Sequence, residues 1–315
     1  MNSMSYLAID TSNYTTSVAY YNGIDILQAK KLLPVKQGQL GLRQSDAVFH
    51  HTIQLPMMIE ELAKKTDINN ISAIGASFTP RSIEGSYMPC FNVGSGMARS
   101  ISSILNVPLY RFSHQQGHIA AAIYSSGRLE LFKEKHIAFH VSGGTTEALI
   151  VTPDNENIIS ATLVGKTLDL NAGQLVDRVG VMLGLQFPCG KQIEQLALNF
   201  IGRINVNPTI KGCDCCISGV ENICSKMYKN NISDEEISAF VLKYIEETLY
   251  RMTLNIFNEY GKMPILFSGG VMSNSIIRDN LTKRLSAFFA KPEFSTDNAA
   301  GIAVLTALKN KEEII

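Results

Sequence analysis

Apolar and polar positions fall in short blocks along this chain, and one succession of blocks occurs twice. Residues 6–10 form an apolar run ending at Asp10, residues 11–15 are rich in hydroxyls, and residues 16–21 return to apolar character. That order predicts a strand, a turn and a returning strand. Asn22-Gly23 predicts a type I′ hairpin turn into a third strand over residues 24–30. About 130 residues later the same order recurs: a strand at 137–141, the tip Ser142-Gly143-Gly144-Thr145-Thr146, and a strand at 147–151. A duplicated opening hairpin predicts two related α/β lobes facing a cleft.

The intervening segments alternate between helix and strand patterns. Residues 45–65 carry Val48, Ile53, Met57, Met58 and Leu62 at helical spacing despite Pro56. Residues 74–78 read as a strand, 79–90 as a loop, and 92 onward as a helix through Met97, Ile101 and Ile104. In the second half, helices are expected at 171–183 and 192–200, and an irregular insertion at 202–232. Ser233-Asp234-Glu235-Glu236 is a capping-box pattern that opens a long helix to about residue 260. Its core face is Phe240, Val241, Tyr244, Ile245, Leu249, Met252 and Ile256. A strand at 264–267, Ser268-Gly269-Gly270 and a helix at 274–285 complete a strand–glycine–helix turn of the kind that binds nucleotides.

Composition narrows the classes. With 315 residues, 45% hydrophobic and 18% charged, this is a globular protein rather than a disordered one. The division is expected as residues 1–112 and 113–315. Formal net charge is zero, so nothing overall draws the chain to nucleic acid or membrane. No apolar run approaches the roughly 18–20 residues that span a bilayer. Met1 to Ser5 lack a basic segment and Asp10 interrupts the apolar stretch after them, so no signal peptide is expected. A cytoplasmic location with six reduced cysteines follows. Cys213, Cys215, Cys216 and Cys224 lack paired CxxC spacing and are expected in a thiol-rich surface loop.

The chemistry concentrates in Ser113-His114-Gln115-Gln116-Gly117-His118. Histidines four apart on a helix share one face, so both rings can reach one ion. Two ligands do not close a site; a carboxylate must join them, and Asp297 at another expected helix start is the candidate. The plainer alternative has one histidine capping its helix and the other facing solvent. Gly143 and Gly144 let backbone N–H groups approach an anion, although a simple hairpin turn has the same composition.

In order along the chain, His114 to His118, His140 to Gly144, Ala172-Gly173 with Asp177, Phe187 to Gly190, Ser268 to Val271 with Asn274, and Lys291 to Asn298 resemble the Gcp/TsaD family. These are threonylcarbamoyltransferases formerly labelled glycoproteases. The resemblance covers nearly the whole chain and implies an actin/Hsp70-like (ASKHA) fold with duplicated RNase H-like domains. It implies that His114, His118 and Asp297 hold one divalent metal ion, iron or zinc. It further implies that His140, Val141, Ser142, Gly143 and Gly144 cradle the phosphate and carbamoyl end of threonylcarbamoyl-adenylate. Asp177, Gly190, Glu194 and Asn274 would line its ribose and adenine, with ATP as a second candidate ligand. The implied reaction carries the threonylcarbamoyl group to N6 of the adenine 3′ of the anticodon, in tRNAs reading codons that begin with A. TsaB- and TsaE-like partner subunits would assist with tRNA. The chemistry agrees: a Lewis acid helps a weak amine nucleophile, and the Ser142, Gly143 and Gly144 amides can receive the charge on departing AMP. No Ser-His-Asp or Cys-His arrangement supports a protease.

The chain also departs from the family pattern. Asn13 and Tyr14 stand where the first tip usually carries acidic residues, Thr145 replaces a histidine, and Gln174 replaces a glutamate. Residues 79–91 replace a Gly-Pro-Gly-Leu loop, and Glu221 stands where a lysine is usual. Two other readings therefore stay open, a paralogue acting on another acceptor and a non-catalytic scaffold subunit. A sugar kinase-like ATPase is disfavoured, because Mg–ATP sites are ligated by carboxylates and water rather than by paired histidines.

Overall fold

A computed structural model describes residues 4–12, 14–34, 42–66 and 68–310. Asn13, with Met1, Asn2 and Ser3 of the N-terminal stretch, lies outside the described residues. In chain order the elements begin with β1 (Ser5–Thr11), β2 (Thr15–Tyr21), β3 (Ile26–Leu32), α1 (Gln44–Ala63) and β4 (Ile71–Thr79). Next come α2 (Phe91–Leu105), β5 (Leu109–Ser113), α3 (His114–Ser126), β6 (His136–Val141), β7 (Thr146–Asp154) and β8 (Ile158–Lys166). After them run α4 (Ala172–Met182), α5 (Gly190–Asn199), β9 (Thr209–Lys211), β10 (Asp214–Cys216), α6 (Gly219–Lys229) and α7 (Asp234–Tyr260). The chain closes with β11 (Ile265–Ser268), α8 (Ser275–Arg284), β12 (Ala287–Phe289) and α9 (Ala300–Asn310). Among the described residues, no helix is long and apolar enough to cross a membrane.

Two compact units result. The first comprises Met1–Lys133, Pro153–Ala161 and Glu293–Ile315, the second Glu134–Thr152 and Thr162–Pro292. The expected division at 112/113 is therefore displaced, and helix packing explains why. A Cβ on Gly301 of α9 would lie 1.8 Å from the Gly117 carbonyl oxygen of α3, so these two backbones touch. A Cβ on Gly75 of β4 would meet Thr306 of α9 at 1.9 Å. Both α3 and the C-terminal helix thus belong to the core of the first unit.

The first unit's sheet runs β3-β2-β1-β4-β5. β1, β2 and β3 are antiparallel neighbours, while β4 and β5 extend the sheet in parallel. The hairpin forms, but neither its register nor its turn is the expected one: Tyr21 pairs with Ile26 across a four-residue loop, where a type I′ turn would pair it with Ile24. Gly23 alone has positive φ, at 93°, and Asn22 Oδ1 accepts from the amides of Ile24 and Asp25 at 2.9 and 2.7 Å. An Asx turn replaces the primed turn, because the Asn side chain competes for backbone donors. α1 is also rotated from its apolar reading. Ile53 and Met57 are exposed, whereas Ala47, His51, Gln54, Leu55, Met58 and Leu62 are buried. The inward polar pair has a partner: Thr16 Oγ1 lies 2.8 Å from His51 Nδ1 and donates to Gln54 Oε1 at 2.9 Å.

The second unit's sheet, β12-β11-β6-β7-β8, has the same strand order, with β6 and β7 antiparallel and β11 and β12 extending the sheet in parallel. Its spine is a stack of Phe139, Phe267 and Phe289, with ring centroids 4.9 and 5.2 Å apart on adjacent strands. α7 buries the expected face apart from Phe240, which is partly buried. Ser233 Oγ accepts from the Glu236 amide at 3.2 Å, as a cap should. The segment 202–232 is not irregular throughout: β9 and β10 pair as a hairpin, and α6 follows. Nor are its cysteines a surface cluster. Cys213, Cys215 and Cys224 lie in the hydrophobic core, where small apolar side chains pack well, and only Cys216 is half-buried. Burial pushes the Cys215 thiol up to about 12, which keeps it protonated.

Candidate metal centre and backbone cradle

The metal candidates are placed by the start of α3. Ser113 Oγ accepts from the Gln116 amide at 3.2 Å, and Gln116 Oε1 accepts from the Ser113 amide at 2.8 Å. This capping box fixes where the helix begins, and His114 is its first residue. Gln116 is buried and also donates to Ile159 O at 2.8 Å, anchoring the same turn. A Cβ on Gly117 would meet Ile302 Cδ1 at 2.9 Å, so α9 packs closely on this turn. That approach carries Asp297, three residues ahead of α9, to the two histidines. Asn298 shapes the approach, donating to Phe294 O and Thr296 O and accepting from the Ala300 amide. Lys30 of β3 donates to Thr296 Oγ1 at 2.9 Å and Glu293 O at 3.3 Å, pinning the segment from outside.

The three ligand atoms converge. His114 Nε2 and His118 Nε2 lie 2.9 Å apart, and Asp297 Oδ1 is 3.2 Å from His118 Nε2 and 3.6 Å from His114 Nε2. Donors at 2.0–2.1 Å from one ion are separated by about 2.8–3.6 Å when the angle between them is 90–120°. The spacings therefore match three ligands of a single ion, and the His₂-carboxylate set suits iron or zinc. Among the described residues this is the one such His/Cys/Asp/Glu group able to hold a metal. Thr15 Oγ1 donates to Asp297 Oδ2 at 3.4 Å, so a neutral hydroxyl from the first tip touches the carboxylate's other oxygen.

Electrostatics in this cluster favour charge. Burial works to lower the His114 pKa, but the carboxylates of Asp10 and Asp297 outweigh it and raise it to about 10. Burial likewise opposes ionisation of Asp297, yet the two histidines hold it well below the usual carboxylate range. Sequence patterns missed Asp10, whose Oδ2 accepts from His114 Nδ1–H at 2.8 Å. The available signal was a carboxylate closing an otherwise apolar strand.

The second unit carries the other expected residues. At the tip after β6, the Ser142 amide donates to Thr145 O at 2.7 Å, while Ser142 Oγ accepts from Gly144 and Thr145 amides at 3.3 and 3.1 Å. Gly143 and Gly144 are exposed. The Ser142 and Gly144 N–H groups are thus already engaged, leaving the Gly143 amide as the better donor for an anion. Gly173 at the start of α4 packs against this tip: a Cβ there would sit 2.6 Å from Gly143 N. Gly269 packs from β11, with φ at 99° and a notional Cβ 2.2 Å from Val141 O. His140 Nδ1 lies 3.4 Å from Ser268 Oγ on the paired strand.

Hydrogen bonds connect the remaining positions to one another. Asp177 Oδ1 accepts from the Cys189 amide at 2.8 Å, joining α4 to the turn before Gly190. Glu194 Oε1 accepts from the Ser275 amide at 2.7 Å, joining α5 to the head of α8. Asn274 caps α8, its Oδ1 accepting from Ile277 N at 3.0 Å. A side chain at Gly190 would meet open space. Two departures from the expected pattern are accommodated. Gln174 Oε1 accepts from the Asn171 amide at 3.2 Å, closing the capping box as a glutamate would. Glu221 pairs with Arg178 at 2.9 Å.

The family profile for TsaD, tRNA N6-adenosine threonylcarbamoyltransferase, matches residues 34–304. The chain belongs to this family. A TsaD-family transferase of Thermosipho africanus is 30% identical over 318 residues, covering 96% of this chain and 93% of that protein. A probable bifunctional tRNA threonylcarbamoyladenosine biosynthesis protein of Thermoplasma acidophilum is 27% identical over 87% of this chain. The chain spans about half the length of that bifunctional relative, 50%. In fold, the chain resembles full-length HypF, with a TM-score of 0.59 and 15% identity over 98% of this chain and 55% of that one. It also resembles component A of the Acidaminococcus fermentans (R)-2-hydroxyglutaryl-CoA dehydratase, with a TM-score of 0.57 and 16% identity over 98% of this chain and 100% of that one. Its two sheets of one plan are those of the actin-like ASKHA fold. This TsaD-family chain is a transferase of tRNA processing.

Proposed function

We propose that this chain transfers the threonylcarbamoyl group of threonylcarbamoyl-adenylate to N6 of the adenine 3′ of the anticodon, in tRNAs reading codons that begin with A. The observation that carries the reading is the convergence of His114, His118 and Asp297 within a chain of this family. These residues would hold one iron or zinc ion, which when bound supplies Lewis acidity for activating a carbonyl-type oxygen. The exposed Gly143 amide is the donor we assign to the phosphate of the departing AMP, joined by the Gly144 amide once it exchanges its 3.3 Å bond to Ser142 Oγ for the anion. His140, Val141 and Ser142 shape that tip, while Asp177, Gly190, Glu194 and Asn274 provide the ribose and adenine surface. Asp177 and Glu194 each keep one carboxylate oxygen beyond the Oδ1 and Oε1 engaged with backbone amides. With zero formal net charge, the chain is assigned TsaB- and TsaE-like partners that supply part of the phosphate contact with tRNA, in the cytoplasm.

The test replaces the resident transferase of a bacterium with this chain and its own partner subunits, then measures modified adenosine in bulk tRNA by mass spectrometry. Restored modification that disappears in a His114→Ala/His118→Ala double variant is the expected result. A soluble chain that restores nothing contradicts the proposed acceptor.

A further inference from the structure

We propose that Asp10 is the positioning residue of the metal centre, fixing the His114 ring so that Nε2 is the nitrogen offered to the ion. The inference rests on the metal reading above and adds a residue that is not itself a ligand. Asp10 is fully buried at the end of β1. Both its carboxylate oxygens are engaged: Oδ2 accepts from His114 Nδ1 at 2.8 Å, and Oδ1 accepts from Ser77 Oγ on the neighbouring β4 at 2.7 Å. An ionised carboxylate only accepts, so the proton of this bond sits on Nδ1, and Nε2 is the nitrogen that gives up its proton and offers its lone pair when an ion binds. That same Nε2 lies 2.9 Å from His118 Nε2 and 3.6 Å from Asp297 Oδ1.

The surroundings make this arrangement hard to explain as packing alone. Burying a carboxylate without a compensating charge is costly. Among the described residues, the ion pairs give Asp10 no lysine or arginine; its ion-pair partner is His114, with the buried His51 near enough to feel its charge. Ser77 on β4 is itself fully buried and holds the carboxylate, while Ser17 Oγ on β2 donates to the Asp10 backbone carbonyl at 3.4 Å and holds the main chain. Phe91 packs against the His114 ring edge-on, with centroids 6.1 Å apart, limiting its rotation further. A ring locked by a carboxylate on one nitrogen and aimed by the other is the arrangement that raises a metal ligand's basicity and fixes its orientation.

The experiment uses the full chain with zinc as the probe, in competition with a chelator, and cobalt as a spectroscopic substitute. Asp10→Ala, Asp10→Asn and Ser77→Ala are compared with wild type, and Asp297→Ala serves as a ligand control. Asp10→Ala is expected to weaken zinc binding by about 10–100-fold, the scale for an outer carboxylate on a ligating histidine. Asp10→Asn should fall between, because its amide oxygen can still accept from Nδ1–H but carries no charge. In histidine ¹⁵N spectra of the zinc-loaded protein, the His114 Nδ1-bound proton should persist in wild type and be lost to exchange in Asp10→Ala. If Asp10→Ala does not fold, Asp10→Asn and Ser77→Ala, which preserve the local shape, carry the comparison. Folded Asp10 variants that bind zinc within about twofold of wild type and keep its cobalt spectrum overturn the proposal, given the effect expected of such a partner. Should Asp297→Ala also bind zinc normally, the metal reading falls and this inference falls with it.

Discussion

The two units build their candidate sites from different materials. In the first, side-chain atoms converge: two imidazole nitrogens and a carboxylate oxygen within 3.6 Å, with a buried carboxylate behind one ring. In the second, the backbone does the work: a Ser-Gly-Gly tip is pressed into shape by Gly173 and Gly269, and the nearby carboxylates hold other backbone amides. Two histidines show the same division. His114 sits between carboxylates and is raised to about 10, whereas His136 of the second unit faces the Glu134 carbonyl and is lowered by burial. Desolvation acts on both; the partner decides the outcome. A side-chain centre should therefore fail by losing a ligand, and a backbone cradle by gaining a Cβ.

The sharpest way to break this contrast is Gly269→Ala. A Cβ 2.2 Å from Val141 O, at a φ of 99°, is expected to destabilise the second unit by about 2–4 kcal/mol through strain and clash. Calorimetry should show the lowered transition, while zinc affinity in the first unit stays at the wild-type value. A loss of zinc binding in the folded variant would undo the separation between the two sites. A smaller effect concerns His136. Its pKa is lowered on folding, so the unfolded chain takes up the proton first as pH falls. Its contribution is present above the unfolded value of about 6.5 and is lost as pH drops below it. Denaturant midpoints measured from pH 7.5 to 5 should decline, and His136→Gln should remove part of that decline. An unchanged slope in the variant would mean that other groups carry it.

Much of both sites was legible in the sequence, for reasons that also mark the limit. His114 and His118 share a helix, so their spacing alone places them on one face, and the doubled hairpin announced the two matching sheets. Asp297 could be nominated only because a third ligand was needed. Asp10 stood out as a carboxylate closing an apolar strand, but its partner was not readable, since it meets His114 across 104 positions of chain and nothing in either segment encodes that distance. The buried face of α1 was misjudged because His51 and Gln54 count as polar until Thr16 is found beneath them. The hairpin and helix within 202–232 were hidden by short elements whose cysteines act as core side chains. Periodicity reports what an element does alone, and these features depend on what it touches.

The most direct test of the account is the metal content of the purified chain. After reconstitution with iron or zinc and removal of loose ions, wild type should retain about one ion per chain, as three converging protein ligands with one open position should. Asp297→Ala, still folded, should retain almost none. A wild-type chain that takes up no metal, or an Asp297→Ala chain that keeps a full ion, would contradict the convergence of His114, His118 and Asp297 as a metal centre.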